Sequence, residues 1–271
     1  MSLMTMDNGL VTKTWEDFNL RPLKDHQNAS QSDYRALTIG IPGQSQQFYF
    51  GSEIEGKPPI IINFKELIVE EYEINRIIDK LNLFLFDEFK QPRELKVIWD
   101  YDPFKYVWLR VANGFTIDRS SFMNGFSIPF NQFDDDRYAI EEVNDVKWGS
   151  TTIDFRADYK LGHEGSGALD LPVTSSTNFL PTLDGYAVQP YIILQGSSGN
   201  FTIRTGTSYI THTGFNGKLE IDTENFIAYL NGTETMLQRF DDFYLVPNQR
   251  VYITGTNMNF KITMHYRWKY I

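Results

Sequence analysis

Polar and apolar residues alternate with a period of two along much of this chain. Leu95, Val97 and Trp99 alternate with Glu94, Lys96 and Ile98, and Ile153, Phe155, Ala157, Tyr159 and Leu161 alternate with Thr152, Asp154, Arg156, Asp158 and Lys160. The longest such run closes the chain. Phe260, Ile262, Met264, Tyr266, Trp268 and Tyr270 share one face, and Lys261, Thr263, His265, Arg267 and Lys269 share the other. In a pleated strand successive side chains point to opposite faces, so this run predicts a long strand with one side buried and one solvated. Asn216-Gly217 and Asn231-Gly232 fall between such runs and predict type I′ hairpin turns, whose two central residues both need positive φ. One segment follows the other period. From Glu70 to about Phe86, Ile74, Ile77, Ile78, Leu81 and Leu85 form one stripe at helical spacing, with Glu70, Glu71 and Glu73 in the first turn, where the helix dipole favours negative charge. Pro92 follows soon after the pattern ends.

The 271 residues are enough for one or two domains and a sizeable core. Between Gly162 and Pro190 the apolar periodicity fades and Gly, Pro and Ser accumulate, which predicts a linker over 166–182. The expected organisation is therefore a β-rich domain with one helix over 1–165 and an all-β domain over 183–271. The fold class is mainly β, α+β in its first half and an antiparallel sandwich or barrel in its second. Aromatic residues make up 15% of the chain, which strengthens the β reading because aromatics favour half-buried pleated surfaces.

Charge narrows the function. The formal net charge is −10, and a general nucleic-acid binder needs a basic face to displace counterions. No apolar run approaches the roughly 18 residues that cross a bilayer, and Met1 to Leu10 lacks the basic and apolar regions of a secretory signal. The expectation is synthesis in a cytoplasm with no membrane partner. With no cysteine there are no disulfides, thiolate nucleophiles or zinc-thiolate sites. His26, His163, His212 and His265 are not spaced as metal ligands, and the run Asp134-Asp135-Asp136 with Glu141, Glu142 and Asp145 lacks the alternation and the glycine of a calcium loop. His265 and the acidic run read as solvated groups. No nucleophile elbow, phosphate loop or dinucleotide fingerprint occurs. The expectation is no catalytic residue, no cofactor and no metal.

Several stretches, in order, resemble the distal tail proteins (Dit) of long-tailed phages or prophages of Gram-positive bacteria. Thr38-Ile39-Gly40-Ile41-Pro42-Gly43 is similar to the family's Ile-Pro-Gly turn, followed by Phe48-Tyr49-Phe50-Gly51, although Gln44-Ser45-Gln46 stands where Arg-Asp-Gly is usual. The apolar strand from Pro58 to Leu67, the helix from Glu70, and Leu95 to Val111 with Asp102-Pro103-Phe104-Lys105-Tyr106 continue the likeness, and Trp148 to Leu161 resembles the strand closing the first domain. In the second half Gln189 to Gly196, Leu219 to Glu224 and Asp242 to Pro247 resemble strands of a galectin-like sandwich, with Trp268 near the usual terminal aromatic. The resemblance implies a structural, non-catalytic virion protein at the tail tip. It implies a hexameric ring formed through the N-terminal domains, joining the tail tube protein to the tail-associated protein, with DNA passing through its channel unbound. It also implies outward galectin-like domains that dock receptor-binding proteins. The extended segments Phe48–Phe50 and Pro58–Phe64 are the expected edges for pairing between copies. Two readings of other classes compete: a carbohydrate-binding module recognising cell-wall glycans, which a glycan array on the C-terminal half separates, and a wall glycosidase, for which no carboxylate pair is nominated.

Overall fold

The computed structural model describes residues 2–29, 31–40, 45–66, 71–115, 125–147, 149–150, 154–160 and 168–271. It is mainly β, with one α-helix among the described residues. Its contacts divide it into two compact units, Met1–Arg137 with Ile271, and Tyr138–Tyr270.

The first unit contains β1 (Met4–Asp7), β2 (Thr12–Thr14), a 3-10 turn (Trp15–Phe18), β3 (Leu20–Pro22), β4 (Asp33–Gly40), β5 (Gln47–Gly56), β6 (Ile60–Glu66), α1 (Glu71–Leu85), β7 (Leu95–Trp99), β8 (Asp102–Val111) and β9 (Gly125–Gln132). The main antiparallel sheet runs in the order β2-β1-β7-β8-β9-β6-β3. The helical stripe is buried as its spacing requires: Ile74, Ile77, Leu81 and Leu85 are buried, as is Phe84. The core under α1 is aromatic. Trp15 meets Phe64 edge-on at 4.6 Å between ring centroids, and Phe18 lies 5.4 Å from Phe84. Strand β7 alternates as predicted, with Leu95, Val97 and Trp99 buried. Strand β6 is not an open edge. It pairs with β9 on one side and β3 on the other, and buries Ile60, Ile62 and Phe64. The expected pairing edge over Pro58–Phe64 is therefore satisfied within the chain.

Strand β10 (Arg137–Ala139) crosses from one unit to the next. The second unit is a sandwich. A six-stranded sheet joins β11 (Leu171–Val173), β13 (Tyr191–Ser198), β16 (Phe215–Asp222), β17 (Ile227–Leu230), β18 (Thr233–Glu234) and β21 (Asn259–His265). A five-stranded sheet joins β12 (Thr177–Phe179), β14 (Asn200–Thr205), β15 (Ser208–His212), β19 (Arg239–Phe240) and β20 (Val251–Thr256), and Lys269–Tyr270 form the last strand, β22. Inward residues of both sheets, among them Ile192, Leu194, Phe201, Ile203, Leu219, Ile253 and Ile262, share one core.

The linker predicted over 166–182 contains β11 and β12, which pair with β21 and β20. Each strand is three residues long, too short to show a period, and each lies at a sheet edge, where Pro172 is tolerated. The contacts divide upstream of that stretch because Ala139, Val143 and Val146 are buried in the sandwich core, with Ala139 N–H bonded to Trp268 O at 3.0 Å and Val143 N–H to Tyr266 O at 3.2 Å. The strand expected over 152–161 is absent from the described residues. Phe155–Ala157 form a 3-10 turn, the Arg156 N–H bonds the Asp154 carboxylate at 2.9 Å, and Asp158 has φ 53°. Alternating composition there marks a turn in which the Asp154 side chain accepts the Arg156 N–H and its carbonyl accepts the Ala157 N–H. Nor does it close the first unit, since Tyr159 lies 5.2 Å from Trp268 in the second. Trp148 and residues 161–167 lie outside the described residues.

The two Asn-Gly pairs part company. Asn231 and Gly232 have φ 52° and 81° and link β17 to β18, as a two-residue hairpin turn requires. Asn216-Gly217 instead lies inside β16. Gly217 has φ 109°, and a Cβ there would sit 2.1 Å from Asn231 Oδ1, so the glycine admits the side chain that accepts the Lys218 N–H at 2.9 Å. The C-terminal phase is as read, with Phe260, Ile262, Met264, Tyr266 and Trp268 all buried, but the regular strand stops at His265 before β22.

Candidate assembly surface

Strands β4 and β5 form a hairpin that pairs with no other strand among the described residues. Its tip, residues 41–44, lies outside them, and with it part of the Ile-Pro-Gly motif. Every described residue of β4 is exposed, and so is nearly all of β5. Isolated two-stranded hairpins are marginal in water, because neither face is covered. This one nevertheless carries large apolar side chains on both strands: Tyr34, Leu37, Ile39, Phe48, Tyr49, Phe50 and Ile54, with Tyr49 and Phe50 each 65% exposed. Cross-strand pairs hold it together locally. Ile39 faces Phe48, Tyr34 faces Ile54, and Arg35 bonds Glu53 at 2.5 Å. That ion pair is exposed and adds little.

The hairpin is anchored at its base. Ser32 Oγ donates to the Asp135 carboxylate at 2.6 Å, and Lys57 Nζ donates to the Asp135 carbonyl at 2.8 Å. Burial pushes the Lys57 ammonium below the usual lysine range, partly opposed by the neighbouring Asp135. The acidic run is thus structural: Asp135 fixes the two ends of the hairpin, and Asp134 Oδ1 accepts the Asp136 N–H at 3.1 Å. Glu142 is likewise engaged, with His265 at 3.0 Å and Arg267 at 3.6 Å, so His265 is paired rather than simply solvated. Among the described residues no group of three or more His, Asp and Glu side chains is placed to hold a metal ion, and no helix is long and apolar enough to cross a membrane.

A second apolar surface lies along α1. Tyr72, Leu83 and Phe89 are exposed, and Leu83 borders an open hollow of about 380 Å³ lined also by Asn82, Phe86, Asp87 and Lys90. Phe48–Phe50 are among the segments expected from sequence to be unpaired; Leu83 and Phe89 are not. The signal was present: Leu83 is out of phase with the buried stripe of α1, where a polar residue is the ordinary choice.

Two histidines are inward-facing. His26 stacks on Trp99 at 5.1 Å, and His212 lies 6.2 Å from Phe201 in the sandwich core. Burial holds both below the ordinary value of 6.5, so they stay neutral in the fold at pH values where the unfolded chain takes up protons. Their contribution to stability is therefore complete above about pH 6.5 and is lost as the pH falls below it. Replacing His212, whose Nδ1 is buried without a hydrogen-bond partner among the described residues, by Phe should flatten the decline of stability between about pH 7 and 5.5. Denaturant melts at several pH values read that slope directly, and an unaltered slope would remove His212 from the account.

No protein-family model and no curated protein matches the chain. A solved structure does. The chain is similar to the SPP1 Dit (gp 19.1) protein, a paradigm of the hub adsorption apparatus in phages infecting Gram-positive bacteria, with a TM-score of 0.66, 16% identity and 99% of each chain covered. Both units enter that superposition, so the resemblance read from the motifs holds at the level of the whole fold: this chain has the architecture of a Dit hub protein.

Proposed function

We propose that this protein is a structural, non-catalytic component of a phage tail tip. In this reading the first units of six copies close a ring that joins the tail tube to the tail-associated protein and leaves a channel for DNA. The galectin-like second units face outward. The observation that carries the reading is the β4–β5 hairpin, a braced element with exposed apolar residues on both strands and no partner strand among the described residues. Isolated apolar surface of this kind marks an interface. A ring closes by heterologous contact, in which one patch meets a different patch on the next copy. The hairpin and the outer residues of α1 supply two such patches. The fold shared end to end with a phage hub protein supports the same reading, and the net charge of −10 suits a conduit that must not retain nucleic acid.

The test divides the chain where its contacts divide. A piece ending at Arg137 should self-associate, and a piece beginning at Tyr138 should remain a single chain by light scattering. The opposite result would move the ring contacts to the second unit. Monomers from both pieces and from the full chain at high concentration would sink the reading.

A further inference from the structure

The outer face of the five-stranded sheet differs in charge from the rest of this acidic chain. Register aligns Asn178, Tyr252, Arg204 and Tyr209 in one row across β12, β20, β14 and β15. The next row holds Thr254, Thr202, Thr211 and Arg239, and the two central threonine hydroxyls bond each other at 3.1 Å. The outward positions of these strands carry no carboxylate. Arg250, at the entry to β20, is exposed and donates to Asn178 Oδ1 at 2.7 Å.

Two arginine–tyrosine stacks stand on this face, and they differ in one respect. The Arg239 guanidinium lies 4.2 Å from the Tyr209 ring centroid and is also held by the Asp241 carboxylate, with Nη2 to Oδ2 at 2.7 Å and Nε to Oδ1 at 2.9 Å. The Arg204 guanidinium lies 4.8 Å from the Tyr252 centroid, but among the described residues it has no carboxylate partner. The same holds for Arg250. The first stack shows what a tyrosine-supported guanidinium accepts in this setting, a carboxylate in forked geometry. The second stack offers that fork unfilled. Guanidinium groups already lie over both rings, so the face presents N–H donors where a sugar-stacking site would present bare aromatic platforms.

We propose that this face, centred on Arg204 and Arg250, docks a carboxylate-bearing segment of a partner protein. The charge argument supports it: a cationic, hydroxyl-rich face on a chain of net charge −10 selects an acidic partner and steers its approach. The proposal extends the tail-tip reading by giving the second unit's partner a chemistry. It does not depend on ring closure, which the mass of the same samples reports separately.

The experiment uses the full chain and a short poly-glutamate peptide as probe, titrated at low ionic strength and followed through the tyrosine ring resonances. Binding should weaken with added salt. The double variant Arg204→Gln/Arg250→Gln should bind about tenfold or more weakly with an unchanged melting temperature, and Arg204→Lys should recover only part of the loss because ammonium cannot fork. Lys261→Gln removes a positive charge from the exposed face of the other sheet and should leave binding as in the parent. No binding by the parent, no loss in the double variant, or an equal loss in Lys261→Gln would overturn the proposal. So would tighter binding of polyphosphate or of a neutral wall glycan than of the peptide.

Discussion

Trp268→Ala is expected to lower the melting temperature of the second unit by roughly 10–20 °C, from a loss of about 3–5 kcal/mol for emptying a fully buried tryptophan site in a unit of this size. Trp268 has no exposed surface, packs 5.2 Å from Tyr159, and donates from Nε1 to Thr182 O at 3.0 Å. The cavity accounts for most of the effect. The Thr182 carbonyl keeps a second donor, the Tyr266 hydroxyl at 3.0 Å, so truncation does not leave it unpaired. Tyr266 reports on the same region, because burial pushes its phenol well above the usual tyrosine range. In the variant that ionisation should move back toward 10. Calorimetry and an alkaline absorbance titration check the two statements, and a variant that melts like the parent would mean that Trp268 is not a core residue.

Replacing the hairpin 33–56 by a short turn between Ser32 and Lys57 should abolish self-association while leaving both cores folded. No described hairpin residue belongs to the aromatic core of the first unit. The melting temperature should therefore change little while the scattering mass falls to that of one chain. The gentler variant Phe48→Ser, Tyr49→Ser, Phe50→Ser keeps the backbone and removes three exposed rings, and the same loss of mass is expected. Retained assembly in both variants would exclude the hairpin as the ring contact.

How legible each element was follows from where its energy comes from. Helix α1, strand β7 and the phase of the last strand were readable because each buries one face against a large core, and burial writes its period into the sequence. The Asn231-Gly232 turn was readable because its backbone needs two positive φ angles in succession. Asn216-Gly217 carries the same letters for another reason, the close approach of Asn231, and only the packing reveals it. Edge strands β11 and β12 were unreadable because three residues cannot display a period, and Pro172 suggested a loop. The hairpin's strands were visible, but not that they leave the sheet, since exposed and buried apolar residues look alike in sequence. The Arg204–Tyr252 stack depends on register between strands distant in the chain, which no local pattern encodes.

Strands β11 and β12, separated only by Thr174, Ser175 and Ser176, close one edge of each sheet of the sandwich: β11 covers β21 and β12 covers β20. One short segment is thus a double clasp. A protease nick at Ser175 would uncouple the two strands, whereas detachment of the whole segment uncovers the Phe260–Ile262 edge and the Val251–Ile253 edge in the same event. Each is a ready template for another chain to add a strand. A chain whose segment is undocked has both edges bare, and the crowding of copies that assembly requires is also the condition under which such chains would cross-pair.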